Sequence, residues 1–135
     1  MGDPAIFRIS GGVGYWYWYN IVTQQSSSEQ FGTSGDIPAP GDFDGDLQTD
    51  LSVFRPSTGY WYRVNSSNGD QVANQFGTNG DIPVVADYDA DGESDNSVFR
   101  PSTGVWYIME SRSGQTASSS FGLSGDKPVP AAFLP

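Results

Sequence analysis

The amino-acid sequence predicts an all-β protein, and three observations carry this prediction. The chain contains 17 glycines and 9 prolines without a Gly-X-Y period, which is typical of turns between strands. Short segments rich in Val, Ile, Phe, Tyr and Trp lie between those turns. Aromatic residues make up 14% of a chain that is only 36% hydrophobic, so a few large rings must provide much of the buried apolar area.

Internal repetition organises these segments. A Phe-Gly pair recurs every 45 residues, at positions 31–32, 76–77 and 121–122. Aligning 31–75 with 76–120 without gaps gives 23 identities in 45 positions. The total of 135 residues is three times this period, so the chain corresponds to three repeat-equivalents.

Each repeat is predicted to contain four short strands. The first covers about 37–42 and ends at an acidic loop, and the second covers about 51–55 and ends at the turn 56–59. The third covers about 60–65, and a polar fourth strand runs to about Phe76. Four antiparallel strands in 45 residues match one blade of a β-propeller. A solenoid is the main alternative, but its units are usually shorter and less antiparallel.

The repeat register divides the chain into one propeller segment with four parts. Residues 1–30 form a partial blade with strands two to four, 31–75 and 76–120 are complete blades, and 121–135 provide a first strand. That strand would complete the partial blade of a partner chain, so two chains would build a six-bladed homodimer. A truncated piece of a longer parent and a nine-bladed ring of three chains are the alternatives.

Two acidic loops, Asp42–Asp50 and Asp87–Asp95, occupy the same place in successive repeats. Both carry aspartate at positions 1, 3, 5 and 9, and position 7 would add a backbone carbonyl. Such a set suits a hard cation with six or seven oxygen ligands, and Ca²⁺ fits it better than Mg²⁺. A solvated acidic turn is the alternative, which two identical spacings disfavour. The predicted metal ligands are Asp42, Asp44, Asp46, Gln48, Asp50, Asp87, Asp89, Asp91, Glu93 and Asp95.

These loops are not EF-hands. Position 12 is Val53 in the first loop and Val98 in the second, where an EF-hand has a bidentate glutamate. Strands rather than helices are predicted on both sides. Asp50 and Asp95 would therefore take the bidentate role.

The loops differ at position 6, and the third equivalent has no acidic loop. Gly92 occupies position 6 of the second loop and Leu47 that of the first, so the second is expected to be the less strained binder. In the third equivalent the aspartates are replaced by Ala132, Leu134, Met1 and Ala5. The sequence therefore predicts about two metal ions per chain.

The whole pattern resembles a known repeat family. The order Phe-Gly…Gly-Asp-Ile-Pro…Asp-x-Asp-x-Asp…Asp…Val-Phe-Arg-Pro-Ser-Thr-Gly-x-Trp-Tyr is similar to the FG-GAP/VCBS repeat of integrin α-subunit-type propellers. The resemblance implies a calcium-binding propeller whose loop aspartates are the ligands. It also implies an extracellular or cell-surface location. The family serves adhesion, lectins and proteins with catalytic domains, so it indicates fold better than function.

Composition excludes several function classes. The net charge of −10 with six scattered basic residues argues against nucleic-acid binding. The chain has no cysteine and no histidine, which removes the commonest nucleophile–base pairs, so no enzyme is predicted. It has no apolar run of membrane-spanning length, and no signal-peptide pattern precedes the first predicted strand.

The remaining hypotheses are a calcium-binding adhesion module, lectin-like in its use of aromatic rings, and a purely structural or engineered half-propeller that self-assembles. A carbohydrate or a protein would be the ligand of the former. Trp16, Trp61 and Trp106 stand at equivalent positions, so packing between blades is the favoured role for them. Trp18 and Tyr19 lack aromatic counterparts and are the better candidates for a local ligand.

Overall fold

The protein is all-β in the part of the chain that its computed structural model describes, residues 3–129. This range contains eleven strands in three antiparallel sheets. No helix in this range could cross a membrane. The chain divides into two units, Met1–Asp36 and Ile37–Pro135. The first unit holds one sheet and the second holds two, and the all-β prediction is confirmed.

Sheet 1 lies in the first unit and has three strands in sequential order, β1 (Ala5–Ser10), β2 (Val13–Asn20) and β3 (Gln25–Thr33). A tight hairpin at Gly11-Gly12 joins β1 to β2, and both glycines have positive φ. Within residues 3–129, β1 pairs with β2 alone. It is therefore an edge strand.

Sheet 2 opens the second unit with four strands, β4 (Ile37–Pro38), β5 (Leu51–Arg55), β6 (Tyr60–Val64) and β7 (Gln71–Gln75). The predicted positions of the last three are confirmed. The first strand is shorter than the predicted 37–42, because Pro38 and Pro40 have no N–H to donate to a ladder. The chain nevertheless stays beside β5, since Gly41 bridges to Asp50.

Sheet 3 repeats this arrangement with β8 (Ile82–Pro83), β9 (Asn96–Arg100), β10 (Val105–Met109) and β11 (Thr116–Ser120). Its register also matches, because Phe99 faces Trp106 as Phe54 faces Trp61 in sheet 2. The ungapped period of the sequence is therefore a period of the structure.

Sheet 1 departs from that period before its first hairpin. Phe7 faces Trp16, so Phe7 is the counterpart of Phe54, two positions away from the ungapped alignment. The physical cause is that the paired strands of the β1–β2 hairpin continue further, to Ser10 and Val13, so Phe7 and Trp16 are nine positions apart where Phe54 and Trp61 are seven apart. As a consequence Asp3, and not Ala5, corresponds to Asp50, which corrects one of the predicted replacements.

Two other expectations concern the end of the chain. Residues 121–129 contain no strand, and the remainder of the first strand predicted in 121–135 lies outside the described residues. Met1, Ala132 and Leu134 also lie outside them.

The core of the second unit joins its two sheets. Phe54 and Trp61 of sheet 2 form one buried cluster with Ala39 and with Val98 of sheet 3. Trp61 is only 2% exposed, and its ring lies 5.3 Å from that of Phe54. Aromatic contacts of this kind add to the free energy of burial.

A hydrogen bond fixes each repeated tryptophan. The Trp61 indole N–H donates to the Phe76 carbonyl at 2.8 Å, and the other two pairs are Trp16 with Phe31 at 2.9 Å and Trp106 with Phe121 at 2.8 Å. Trp16 and Trp61 are buried and Trp106 is half-buried. These surroundings support packing rather than sugar stacking as the role of these rings.

We expect Gly59→Ala to destabilise the protein more than Gly69→Ala. Both glycines have nearly the same φ, +73° and +74°, but a Cβ at Gly59 would meet the Gly77 carbonyl oxygen at 2.5 Å while one at Gly69 meets nothing within 4 Å. The common cost of positive φ cancels, and the clash should add about 1–3 kcal/mol. Guanidinium unfolding of both variants measures the difference, and equal losses would contradict the close backbone approach.

Candidate metal centres

Each acidic loop brings three aspartates together. Asp42, Asp44 and Asp50 each offer a carboxylate oxygen, and the three oxygens lie within 4.8 Å of one another. The counterparts in the second loop do the same, Asp87, Asp89 and Asp95. Each loop lies between the first and second strands of its sheet. Both groups could hold a metal ion, since three converging carboxylates are a common basis of a hard-cation site.

The aspartate at position 1 shapes the loop. Asp42 Oδ1 accepts the N–H groups of Gly45 and Asp46 at 2.8 and 3.1 Å, and its Oδ2 accepts that of Leu47 at 2.9 Å. Asp87 is bonded in the same way to Asp91 and Gly92. Short aspartate side chains form such turns readily. The loops are thereby wound around their first carboxylate.

The aspartate at position 9 is fully buried and links two loops of its sheet. Asp50 Oδ2 accepts the Phe43 N–H at 2.7 Å, and its Oδ1 accepts the Ser66 N–H at 2.7 Å. Ser66 lies in the turn between β6 and β7. The carboxylate therefore ties the acidic loop to a turn sixteen residues away in sequence, and both of its oxygens already hold one donor.

The second loop repeats this link. Asp95 accepts the N–H groups of Tyr88 and Ser111, both at 2.8 Å. The sequence predicted that Asp50 and Asp95 would be bidentate metal ligands. The structure shows that both carboxylates also stabilise the fold, because they accept backbone N–H groups. The acidic pattern alone did not indicate this role, because these donors lie outside the pattern or far away in the sequence.

Positions 5 and 7 lie outside the three-carboxylate groups. Asp46 Oδ2 accepts the Ser66 hydroxyl at 2.8 Å, and Asp91 accepts the Ser111 hydroxyl at 2.8 Å. The position-7 N–H groups, of Gln48 and Glu93, donate to the other oxygen of these aspartates. The sequence did not lead us to predict a role for Ser66 and Ser111, although their separation of one repeat, 45 residues, could have indicated it.

Arg63 gives the first loop a half-buried positive charge that has no counterpart at the same position of the second loop. Its guanidinium lies 5.1 Å from the Phe43 ring centre. Burial lowers the pKa of Arg63, and the negative charges of Asp50, Asp44 and Glu93 oppose that shift. The counterpart in sheet 3 is Ile108. The first loop therefore has part of its charge balanced by protein.

Position 3 differs between the loops. The Ser67 hydroxyl donates to Asp44 Oδ2 at 2.5 Å, which lowers the pKa of Asp44. The counterpart of Ser67 is Arg112, whose Nε lies 3.7 Å from Asp91. The pKa of Asp89 is raised, first by loss of hydration and then by the negative charge of Asp95.

Backbone strain is divided between the loops. At position 6 of the loop φ is positive in both, 69° at Leu47 and 89° at Gly92. At position 4 it is also positive in both, 76° at Gly45 and 61° at Ala90. Each loop thus holds one non-glycine residue in a left-handed conformation. The expectation that the second loop is less strained was wrong, because it considered position 6 alone.

The two loops contact each other. The Ser94 N–H donates to the Asp42 carbonyl at 2.6 Å, and the Asp42 N–H donates to the Ser94 hydroxyl at 3.0 Å. The backbone of the first aspartate of one loop is therefore held by a residue of the other loop. This reciprocal pair is a third feature that sequence reasoning missed.

Sheet 1 carries a separate aromatic surface. A shallow, mostly apolar depression of about 280 Å³ is lined by Pro4, Ala5, Ile6, Tyr17, Trp18, Tyr19 and Ser26. Tyr19 is 42% exposed. The two aromatic residues without counterparts in other repeats therefore lie on one accessible surface.

Comparison of the chain with protein-family models, curated protein sequences and solved structures gives no match. The similarity to FG-GAP/VCBS repeats therefore stays a prediction.

We expect Asp50→Asn to lower the free energy of unfolding by about 2–4 kcal/mol in the presence of a chelator, and Asp95→Asn to do the same. An amide has one acceptor oxygen, so one buried N–H of the two would face an NH₂ group. Gln48→Ala, on the exposed part of the first loop, is the control. Denaturant unfolding checks this, and a loss seen only with metal present would assign Asp50 to the metal alone.

Proposed function

We propose that this protein is a calcium-binding β-propeller module of the FG-GAP/VCBS type, in which the metal braces each complete repeat. The observation that carries the proposal is the same group of three carboxylates in both loops. Its position between the first two strands of each sheet supports a structural rather than a catalytic role.

The charge of each group favours a cation. Three carboxylates whose oxygens lie within 4.8 Å repel one another. In the second loop Arg112 lies 3.7 Å from Asp91, which is outside the group of three. A divalent ion would turn this repulsion into attraction. All the donors are oxygens, and Ca²⁺ accepts six to eight of them in irregular geometry, whereas Mg²⁺ demands a small octahedron. Calcium is therefore the ion that we propose.

Bracing follows from what the aspartates already join. Asp44 and Asp50 contact the β6–β7 turn through Ser67 and Ser66. An ion shared by these carboxylates would fasten the acidic loop to that turn. Binding energy of this kind adds directly to the free energy of unfolding.

The blade arrangement is supported by the repetition of sheet register and by the shared core of sheets 2 and 3. With three repeat-equivalents per chain, we propose a six-bladed ring of two chains, since propellers rarely have fewer than four blades. From the resemblance, we propose a location outside the cell or at its surface.

Titration of the chelator-treated protein with calcium should show about two ions per chain. Asp44→Ala and Asp89→Ala should each leave one site, because each removes a carboxylate from one group. Asp70→Ala, at an exposed aspartate outside both groups, is the matched control. Calorimetry measures the stoichiometry, and an unchanged value in both loop variants would refute the assignment.

A second candidate function is carbohydrate binding at the depression in sheet 1. Its support is the accessible pair of Trp18 and Tyr19, since aromatic faces stack on the apolar faces of sugar rings. We expect saturable binding on a glycan array that Trp18→Ala abolishes and that Tyr60→Ala, at an exposed aromatic residue of sheet 2 outside the depression, leaves unchanged. Blank arrays with calcium and with chelator would instead favour a purely structural assembly.

A further inference from the structure

The packing of sheet 3 on sheet 2 shows how successive repeats meet. The face of sheet 2 that carries Phe54 and Trp61 covers Val98 of sheet 3, with Tyr107 packed against the same cluster. Val98 is completely buried. This interface therefore joins the Phe/Trp face of sheet 2 to the Val/Tyr face of sheet 3.

Sheet 1 has a face that corresponds to the Val98 and Tyr107 face of sheet 3. By the register of Phe7 with Trp16, Ile6 is the counterpart of Val98 and Tyr17 that of Tyr107. Ile6 is 52% exposed. We call Ile6 and Tyr17 the entry face.

Sheet 3 has a face that corresponds to the Phe54 and Trp61 face of sheet 2. Trp106 is half-buried, whereas its counterpart Trp61 is 2% exposed. Phe121 is 77% exposed, although its counterpart Phe76 packs against the core cluster. We call Trp106 and Phe121 the end face. The entry face and the end face are thus the two halves of one interface.

An ion pair marks the passage from one sheet to the next. Asp81 stands directly before β8, and Arg100 at the end of β9 donates to both of its oxygens at 2.8 and 3.0 Å. The Asp81 side chain is 1% exposed. Its Oδ2 also accepts the Thr78 N–H at 2.9 Å. This bidentate pair holds the incoming chain against the second strand of the new sheet.

The two halves of a further pair of this kind are present but separate. Asp126 is built like Asp81, because its Oδ2 accepts the Leu123 N–H at 2.8 Å. Arg8 is built like Arg100, because it lies 5.0 Å from the Tyr17 ring as Arg100 lies 4.5 Å from the Tyr107 ring. Both Arg8 and Asp126 are exposed. Neither forms an ion pair within residues 3–129.

We propose that a second copy of this chain completes both halves. The segment 121–129 of one copy leads to the open edge of β1 in the other, so that Asp126 pairs with Arg8 of that copy. The end face then covers the entry face, as sheet 2 covers sheet 3. Because Ile6 and Tyr17 also line the depression of sheet 1, this interface and a sugar at that depression exclude each other. This inference rests on the proposed propeller arrangement and identifies the residues that join its chains.

Charge reversal tests the pairing. Asp126→Arg and Arg8→Asp should each weaken self-association about 100-fold or more, because like charges then meet at a site that excludes water. An equimolar mixture of the two variants should associate with nearly the wild-type dissociation constant. In a ring of two chains, one seam keeps the native pair and the other holds the pair with its charges exchanged.

Sedimentation equilibrium of the full chain measures these masses, with Asp70→Arg as the control for reversal of an exposed aspartate. The wild type and the control should have twice the chain mass. Recovery of the dimer by mixing shows that both variants fold. A wild-type monomer at about 50 μM would overturn the proposal, and so would folded variants that associate as tightly alone as the wild type does.

The experiment also separates this inference from the calcium proposal. A dimer that binds no calcium would contradict the metal assignment and leave the seam standing. A monomer that binds two ions would do the reverse. Both measurements are made with calcium and with chelator, so the two failures are distinguishable.

Discussion

A buried carboxylate that receives two backbone N–H groups is the interaction on which each complete repeat depends. Asp50 and Asp95 stand where the acidic loop enters the second strand, and each reaches the turn between the third and fourth strands. Burying such a charge is costly unless it is fully hydrogen-bonded. The two backbone N–H donors offset that cost. Because one donor comes from the acidic loop and the other from the turn, the carboxylate fixes the geometry of both.

The remaining order of a repeat follows from large rings on a small number of strands. The strands are short, and only the second lies deep in the core, so packing depends on the Phe/Trp pair and on the indole hydrogen bond to the next Phe-Gly segment. Gly59 lets that segment pass close to the preceding turn. The Phe-Gly motif and the Gly-x-Trp motif therefore contact each other, and this is why they recur together in the sequence.

Much of this architecture could be predicted from the sequence, because the period is ungapped and the strands alternate clearly. The second, third and fourth strands of sheet 2 lie as expected, and three of the four aspartates of each acidic loop converge. β4 is short because two prolines have no N–H group to donate. Asp3 corresponds to Asp50 because the β1–β2 hairpin contains two extra residues, which the ungapped alignment did not include. Contacts of Arg63 and Ser94 join segments far apart in the chain, and no local sequence pattern indicates them. The contacts of Ser66 were indicated only by its recurrence one repeat later, at Ser111.

The hydrogen bonds between Ser94 and the backbone of Asp42 have a thermodynamic consequence. The backbone that presents the first carboxylate of one loop is hydrogen-bonded to a residue of the other loop. If both loops bind an ion, as we propose, adjusting one loop to its ion would change the free energy needed to adjust the other, and by reciprocity the effect would be equal in both directions. The two loops would then bind their ions as a linked pair.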